Sequence, residues 1–273
     1  MQHIGYHAVY ESDFQTALKA AADHGFGFVQ FDLNVPAFYI DEMPRHKLNH
    51  IATLSNDLGV AISFHAPGDI VGLFADYPRI REGILDHMKR ILEKANRLQA
   101  HHLTVHPLNP PSFRRADTME DDFQVQYHDY FRKVLIENLH ELSQASGSVL
   151  INVENCHFGK IAIDALTEIC EAGTDTFLTL DWAKMHDKRQ AIDESQEKFF
   201  FKYRGRIREL HVHDMNALGR SHLCPSEGVL DFEPLFRDFY DPSQWITIEV
   251  RPVIEATKAK EMVLGMIGKR EGT

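Results

Sequence analysis

The feature that most constrains this chain is a unit written eight times. A short apolar run ends in a polar or charged residue, and a segment with apolar residues at helical spacing follows it. The clearest run is Ile151-Asn152-Val153-Glu154-Asn155, and the others are Ile4–Val9, Phe28–Leu33, Ala61–Pro67, His102–Pro107, Phe177–Trp182, Ile207–Asp214 and Ile246–Arg251. Between them, Phe14, Ala17, Leu18 and Ala21 lead to Gly25, and Leu48, Ile51, Leu54 and Leu58 lead to Gly59. Glycine at such positions stops a helix by taking the left-handed conformation. Further helical patterns contain Ile84–Leu98, Phe131–Leu142, Ile161–Ile169, Phe199-Phe200, Pro234-Leu235-Phe236 and Met262–Ile267.

Strands that alternate with helices imply parallel βαβ units, and eight of them imply closure into a barrel. The expected fold is α/β, a single (β/α)8 TIM barrel over residues 1–268 with a short tail at 269–273. The length of 273 residues suits one such domain. A polar, proline-containing stretch from Leu108 to about Asp122, carrying Arg114 and Arg115, reads as a long loop over the barrel mouth.

Composition narrows the partners. A formal charge of −11 disfavours nucleic acid, which needs clustered Lys and Arg. Cys156, Cys170 and Cys224 are too few and too scattered for a disulfide framework, and no basic-then-apolar leader or membrane-length apolar run is present. A cytoplasmic enzyme acting on a small molecule is expected, and a homo-oligomer is compatible with it.

Residues two apart on a strand share a face. The last same-face pairs are Ser63/His65, Thr104/His106, Asn152/Glu154, Thr179/Asp181 and Thr247/Glu249, while the residues between them are apolar. The apolar side would pack on the helices. The other side would bring a ring of acids and imidazoles to the C-terminal mouth, where barrel active sites are assembled. Glu154, Asp181, His211 and Glu249 supply three carboxylates and an imidazole, a set suited to a divalent ion such as Mn, Mg, Co or Zn. His65 and His106 would complete a second metal site with Glu154 as the bridge. One lone His or acid at a strand end is usually a paired structural residue. The coincidence of six argues for a metal centre.

The pieces Phe64-His65-Ala66-Pro67, Val105-His106-Pro107, Val153-Glu154-Asn155, Leu180-Asp181 and His211-Val212-His213-Asp214 through His222 and Gly228 to Asp231 resemble the xylose-isomerase-like TIM-barrel superfamily over nearly the whole chain. That superfamily contains sugar isomerases and epimerases together with endonuclease-IV-type enzymes. The resemblance implies that Glu154, Asp181, His211 and Glu249 bind the metal. In the isomerase branch, Glu154 and Glu249 would move a carbon-bound proton through an enediolate. In the hydrolase branch, two ions would activate water on a phosphodiester, including those of cobamide-type cofactors.

The chain departs from both branches where they carry His after the sixth-strand Asp, because Lys184 stands there. Arg220 occupies a place held by Asp in the endonuclease branch, and Ala217 lies near the place of the epimerases' arginine. Lys184, His186, Arg220 and His222 are therefore candidates for gripping a polyhydroxylated, anionic substrate. His213 and Asp214 are candidates for orienting His211. The first reading is a metal-dependent sugar or sugar-phosphate isomerase or epimerase, and the alternative is a metal-dependent phosphodiester hydrolase.

Overall fold

A computed structural model describes residues 3–271 except 69–71, 118–120, 157 and 188–193. Eight parallel strands close into a barrel in sequence order, with the first paired to the last. They are β1 (His3–Ala8), β2 (Phe28–Asp32), β3 (Ala61–His65), β4 (His102–Val105), β5 (Leu150–Glu154), β6 (Thr176–Asp181), β7 (Ile207–Val212) and β8 (Trp245–Ile248). The helices are α1 (Phe14–Asp23), α2 (Arg45–Leu58), α3 (Pro78–Arg97), α4 (Asp122–Gln126), α5 (His128–Ala145), α6 (Lys160–Glu171), α7 (Trp182–His186), α8 (Glu194–Lys202) and α9 (Val253–Glu271).

The strands form because both faces are buried, which selects β-branched and aromatic residues. Val29, Phe31, Phe64, Val105, Val153, Leu180 and Ile248 point outward and are almost fully buried under the helices. Phe14 on α1 packs 4.4 Å from Phe31 and 5.3 Å from Phe38, which ties the first helix to the second strand. The helices begin and end where the sequence signals. Asp13 caps α1 by accepting from the Thr16 amide, and Gly59 closes α2 at φ +64°.

The floor of the barrel is filled by aromatic rings. Trp245 stacks between His3 and His101, at 5.1 and 3.9 Å, and Phe28 lies 4.5 Å away. The C-terminal mouth remains for function.

Several boundaries differ from expectation. β7 ends at Val212 and β8 at Ile248, so His213, Asp214, Glu249 and Arg251 stand on the loops just beyond their strands. The short helix α7 begins immediately after Asp181, whose carboxylate caps it at the Lys184 amide. Five residues give too little periodicity to read in advance. The same holds for α4, which starts at Asp122 where the fourth loop was expected to end, and for the π-helical turn Leu235–Phe239. α9 runs through Gly268 to Glu271, so regular helix enters the expected tail, and residues 272 and 273 fall outside the described residues. Among the described residues, no helix is long and apolar enough to cross a membrane.

Candidate metal centre at the barrel mouth

The site is built in tiers, and the lowest centres on Glu209 of β7. This carboxylate is fully buried and accepts hydrogen bonds from Gln30 Nε2 at 2.7 Å, Thr104 Oγ1 at 2.6 Å, Thr179 Oγ1 at 2.8 Å and Thr247 Oγ1 at 2.6 Å. The threonines from β4, β6 and β8 thus serve one acid on the barrel axis. His102 Nε2 and His211 Nε2 lie 3.0 and 3.3 Å from it. Burial alone would raise the Glu209 carboxyl, but His102 and His211 outweigh it and hold it well below the usual carboxylate range.

The next tier contains Glu154, Asp181, His211 and Glu249, each at most 2% exposed. With Nε2 turned down toward Glu209, His211 presents Nδ1 upward, 3.2 Å from Glu249 Oε1 and 3.4 Å from Glu154 Oε1. The two glutamates therefore converge on one imidazole from β5 and β8. Asp181 joins them through Asn155, whose amide side chain accepts from the Asp181 N–H at 2.6 Å and donates to its carbonyl at 2.9 Å. Desolvation opposes ionisation of all three acids, yet the neighbouring cations keep them charged. Lys184, His211 and His106 depress Glu154, His213 and Lys184 depress Asp181, and His211 and His7 depress Glu249. His211 is pushed up despite burial, because Glu209, Glu249 and Glu154 surround it.

A second group adjoins the first. Glu154 Oε2 lies 3.2 Å from His65 Nε2 and 2.8 Å from His106 Nε2, and the two imidazoles are 3.2 Å apart. His65 turns its other nitrogen, Nδ1, to the Ala66 carbonyl at 2.9 Å, so Nε2 faces the site. Gly68 packs against the His106 ring so closely that an added Cβ would stand 2.5 Å from Nδ1. Lys184 places Nζ against Glu154 Oε1 and 3.4 Å from Asp181 Oδ2. Lys184 thus belongs to the acid cluster, and its charge is already shared by two carboxylates.

The other expected residues divide. His213 meets Asp181 Oδ2 at 3.3 Å and Glu249 Oε2 at 3.5 Å, so it contacts the acids and not His211. The Asp214 carboxylate points the other way and accepts from the amides of Met215, Ser226, Gly228 and Leu230, at 2.8 to 3.1 Å. It organises the seventh loop and does not orient His211, whose partner is Glu209. His222 joins the site, with its amide on His213 Nδ1 at 3.1 Å and its own Nδ1 on the Glu249 carbonyl at 2.9 Å. Arg220 is exposed, in a turn closed by Asn216, and His186 rests edge-on against Trp182 at 4.2 Å. Neither reaches the acids.

Residues missed in the sequence are Glu209, Asn155 and Arg251, whereas His7 and Asp32, which end or nearly end their strands and read as lining the site, do meet beside Glu249. Glu209 and Arg251 sit on the same alternation as His211 and Glu249, one step deeper and one step further out, so the signal was present.

The donor set fits a divalent ion. One ligand atom each from Glu154, Asp181 and His211 lie within 4.8 Å of one another, and so do those of His65, His106 and Glu154, and of His213, His222 and Glu249. His211 Nδ1 and Glu249 Oε2 are buried and make no hydrogen bond, so each has a lone donor atom that an ion could engage. The Lys184 ammonium competes with an ion for Glu154 and Asp181.

Comparison with known proteins agrees with this architecture. No curated protein sequence matches the chain. Among solved structures, a D-tagatose 3-epimerase-like protein superposes with a TM-score of 0.75 at 20% identity, covering 99% of each chain. The IOLI protein with a bound zinc atom gives 0.72 at 16% identity over 98% of this chain and 99% of its own. D-psicose 3-epimerase from Clostridium cellulolyticum H10 gives 0.70 at 13% identity over 98% and 99%. At these identities the likeness establishes the fold. The family described as the xylose isomerase-like TIM barrel matches residues 18–264, nearly the whole barrel, and the chain belongs to that family.

Proposed function

We propose that the protein is a divalent-metal-dependent isomerase or epimerase that moves a proton on the carbon next to a sugar carbonyl. The observation that carries this reading is the convergence of Glu154 and Glu249 on His211 Nδ1, at 3.4 and 3.2 Å. Glu154, Asp181, His211 and Glu249 would hold the ion, which supplies charge stabilisation to the substrate oxygens as the adjacent carbon loses its proton. One glutamate takes that proton and the other returns it. Lys184 keeps Glu154 ionised, as a base must be. Glu209 holds His211 with Nδ1 toward the site.

The sugar epimerases among the similar folds support the substrate class, and the zinc-bound one supports the ion. Three cysteines, none in a disulfide, support a reducing, cytoplasmic setting. The test is incorporation of solvent deuterium into ketoses and aldoses. The wild type should label the carbon next to the carbonyl, and Glu154→Gln and Glu249→Gln should lower the rate by at least about 10²-fold. Undiminished labelling by both variants contradicts the assignment.

A second reading, two-ion phosphodiester hydrolysis, is favoured by the His65–His106–Glu154 group. His65→Ala would abolish turnover of bis(p-nitrophenyl) phosphate on that reading, and would leave deuterium exchange largely intact on the first.

A further inference from the structure

The inner face of β8 continues beyond the strand. Thr247 contacts the floor acid, Glu249 joins the ligand tier, and Arg251, two residues further, stands at the rim. Arg251 is partly buried. Its Nη2 donates to His7 Nδ1 at 2.7 Å, so His7 carries its own proton on Nε2, which faces Asp32 Oδ2 at 3.3 Å. A neutral imidazole that accepts a hydrogen bond orients the guanidinium without cancelling its charge.

The acids nearby are otherwise engaged. Asp32 accepts from the Asn34 amide and side chain at 2.8 and 2.9 Å, and Glu249 faces His211. No described carboxylate forms an ion pair with Arg251, and its Nε–H is buried without a hydrogen-bond partner. A buried donor left unpaired is unfavourable, and more so on a charged group. The remaining basic groups of the mouth differ. Lys184 is spent on Glu154 and Asp181, Arg220 is exposed on a turn, and Arg115 pairs with Asp117 and Asp122 on the fourth loop.

We propose that Arg251 is the anchor for a carboxylate or phosphate group on the substrate, so that the site takes an anionic sugar or sugar acid in preference to a neutral sugar. A planar guanidinium matches either oxyanion through paired N–H donors, and an oxyanion at Nε would satisfy the buried donor and the unpaired charge together. His7 and Asp32 hold the arginine in place and make no contact with the anion themselves. The proposal rests on the carbon-acid reading for the identity of the reacting group, and on Arg251 alone for the anion.

The experiment is calorimetric binding of inorganic phosphate, gluconate and the neutral polyol sorbitol to the purified protein, repeated with Arg251→Met and Arg251→Lys. The methionine keeps the apolar stem, and circular dichroism confirms folding. Wild type should bind phosphate or gluconate, and whichever binds tighter names the oxyanion. Arg251→Met should lose at least about 30-fold in affinity for it, and Arg251→Lys less, because a point charge replaces a fork. In the exchange assay, the preference for fructose 6-phosphate or glucuronate over fructose should collapse in Arg251→Met through KM. Equal anion affinity in wild type and a folded Arg251→Met overturns the proposal, and so does a wild type that binds neither anion. Loss of anion binding in Arg251→Met, with no carbon-bound exchange on any sugar, sustains the anchor and overturns the carbon-acid reading instead.

Discussion

Glu209→Gln removes one charge from the barrel axis and keeps the shape of the side chain. Glu209 accepts four short hydrogen bonds, at 2.6 to 2.8 Å, and faces two imidazoles. A hydrogen bond to a charged group contributes about 1.5–3 kcal/mol, and a neutral one about 0.5–1.5. Weakening four by roughly 1 kcal/mol each predicts a loss of about 3–5 kcal/mol in urea unfolding of the metal-free protein, the range found when a buried ion pair loses one partner. The variant should also lose His211 orientation, and with it about 10- to 100-fold in affinity for Mn or Zn, read by calorimetry. A Glu209→Gln protein within about 1 kcal/mol of wild type and unchanged in metal affinity would refute the reasoning, because it would show that the threonines and His211 do not depend on the charge.

Four other outcomes follow from the same contacts. Lys184→Met should raise metal affinity roughly tenfold or more, since its ammonium competes for Glu154 and Asp181; weaker binding in the variant would show that the lysine assists the ion. Gly68→Ala should displace the His106 ring, because its Cβ would meet Nδ1 at 2.5 Å, and a crystal structure with His106 still at Glu154 would contradict this. Asp214→Ala should loosen the seventh loop by leaving four amides unpaired, seen as faster hydrogen exchange at Ser226, Gly228 and Leu230.

The fourth concerns pH. Burial first, and the His102 charge next, lower His101 from 6.5 to about 3, so the folded state binds fewer protons than the unfolded chain between those values. The contribution of His101 to stability is therefore complete above pH 6.5 and is lost as pH falls toward 3. His101→Phe, which keeps the stack on Trp245, should flatten the decline in urea-unfolding stability across that window; an unaltered slope would remove His101 as its source.

The fold was legible because each strand is buried on both faces and each long helix on one, so two periodicities alternate along the chain, broken only where elements as short as α4 and α7 intervene. The convergence of Glu154, Asp181, His211 and Glu249 was legible for a related reason: side chains at the ends of parallel strands must converge once the barrel closes. What the pattern could not supply is direction. His213 and Asp214 are adjacent in sequence, yet one turns into the acid cluster and the other turns out to bind four amides. Lys184 read as a free cation because nothing in sequence showed that α7 starts just after Asp181 and brings the lysine side chain back onto Glu154. Glu209 was passed over because a buried acid is expected at the mouth of a barrel and not at its centre, where the joint presence of Gln30, three threonines, His102 and His211 makes it tolerable.

The most direct test of the central claim is the metal content of purified protein dialysed against Mn or Zn, wild type beside Glu154→Gln and Glu249→Gln. The account predicts about one tightly held ion per chain in the wild type and strongly reduced occupancy in each folded variant. Equal metal content in all three proteins would contradict it, because the two glutamates that converge on His211 would then hold no ion.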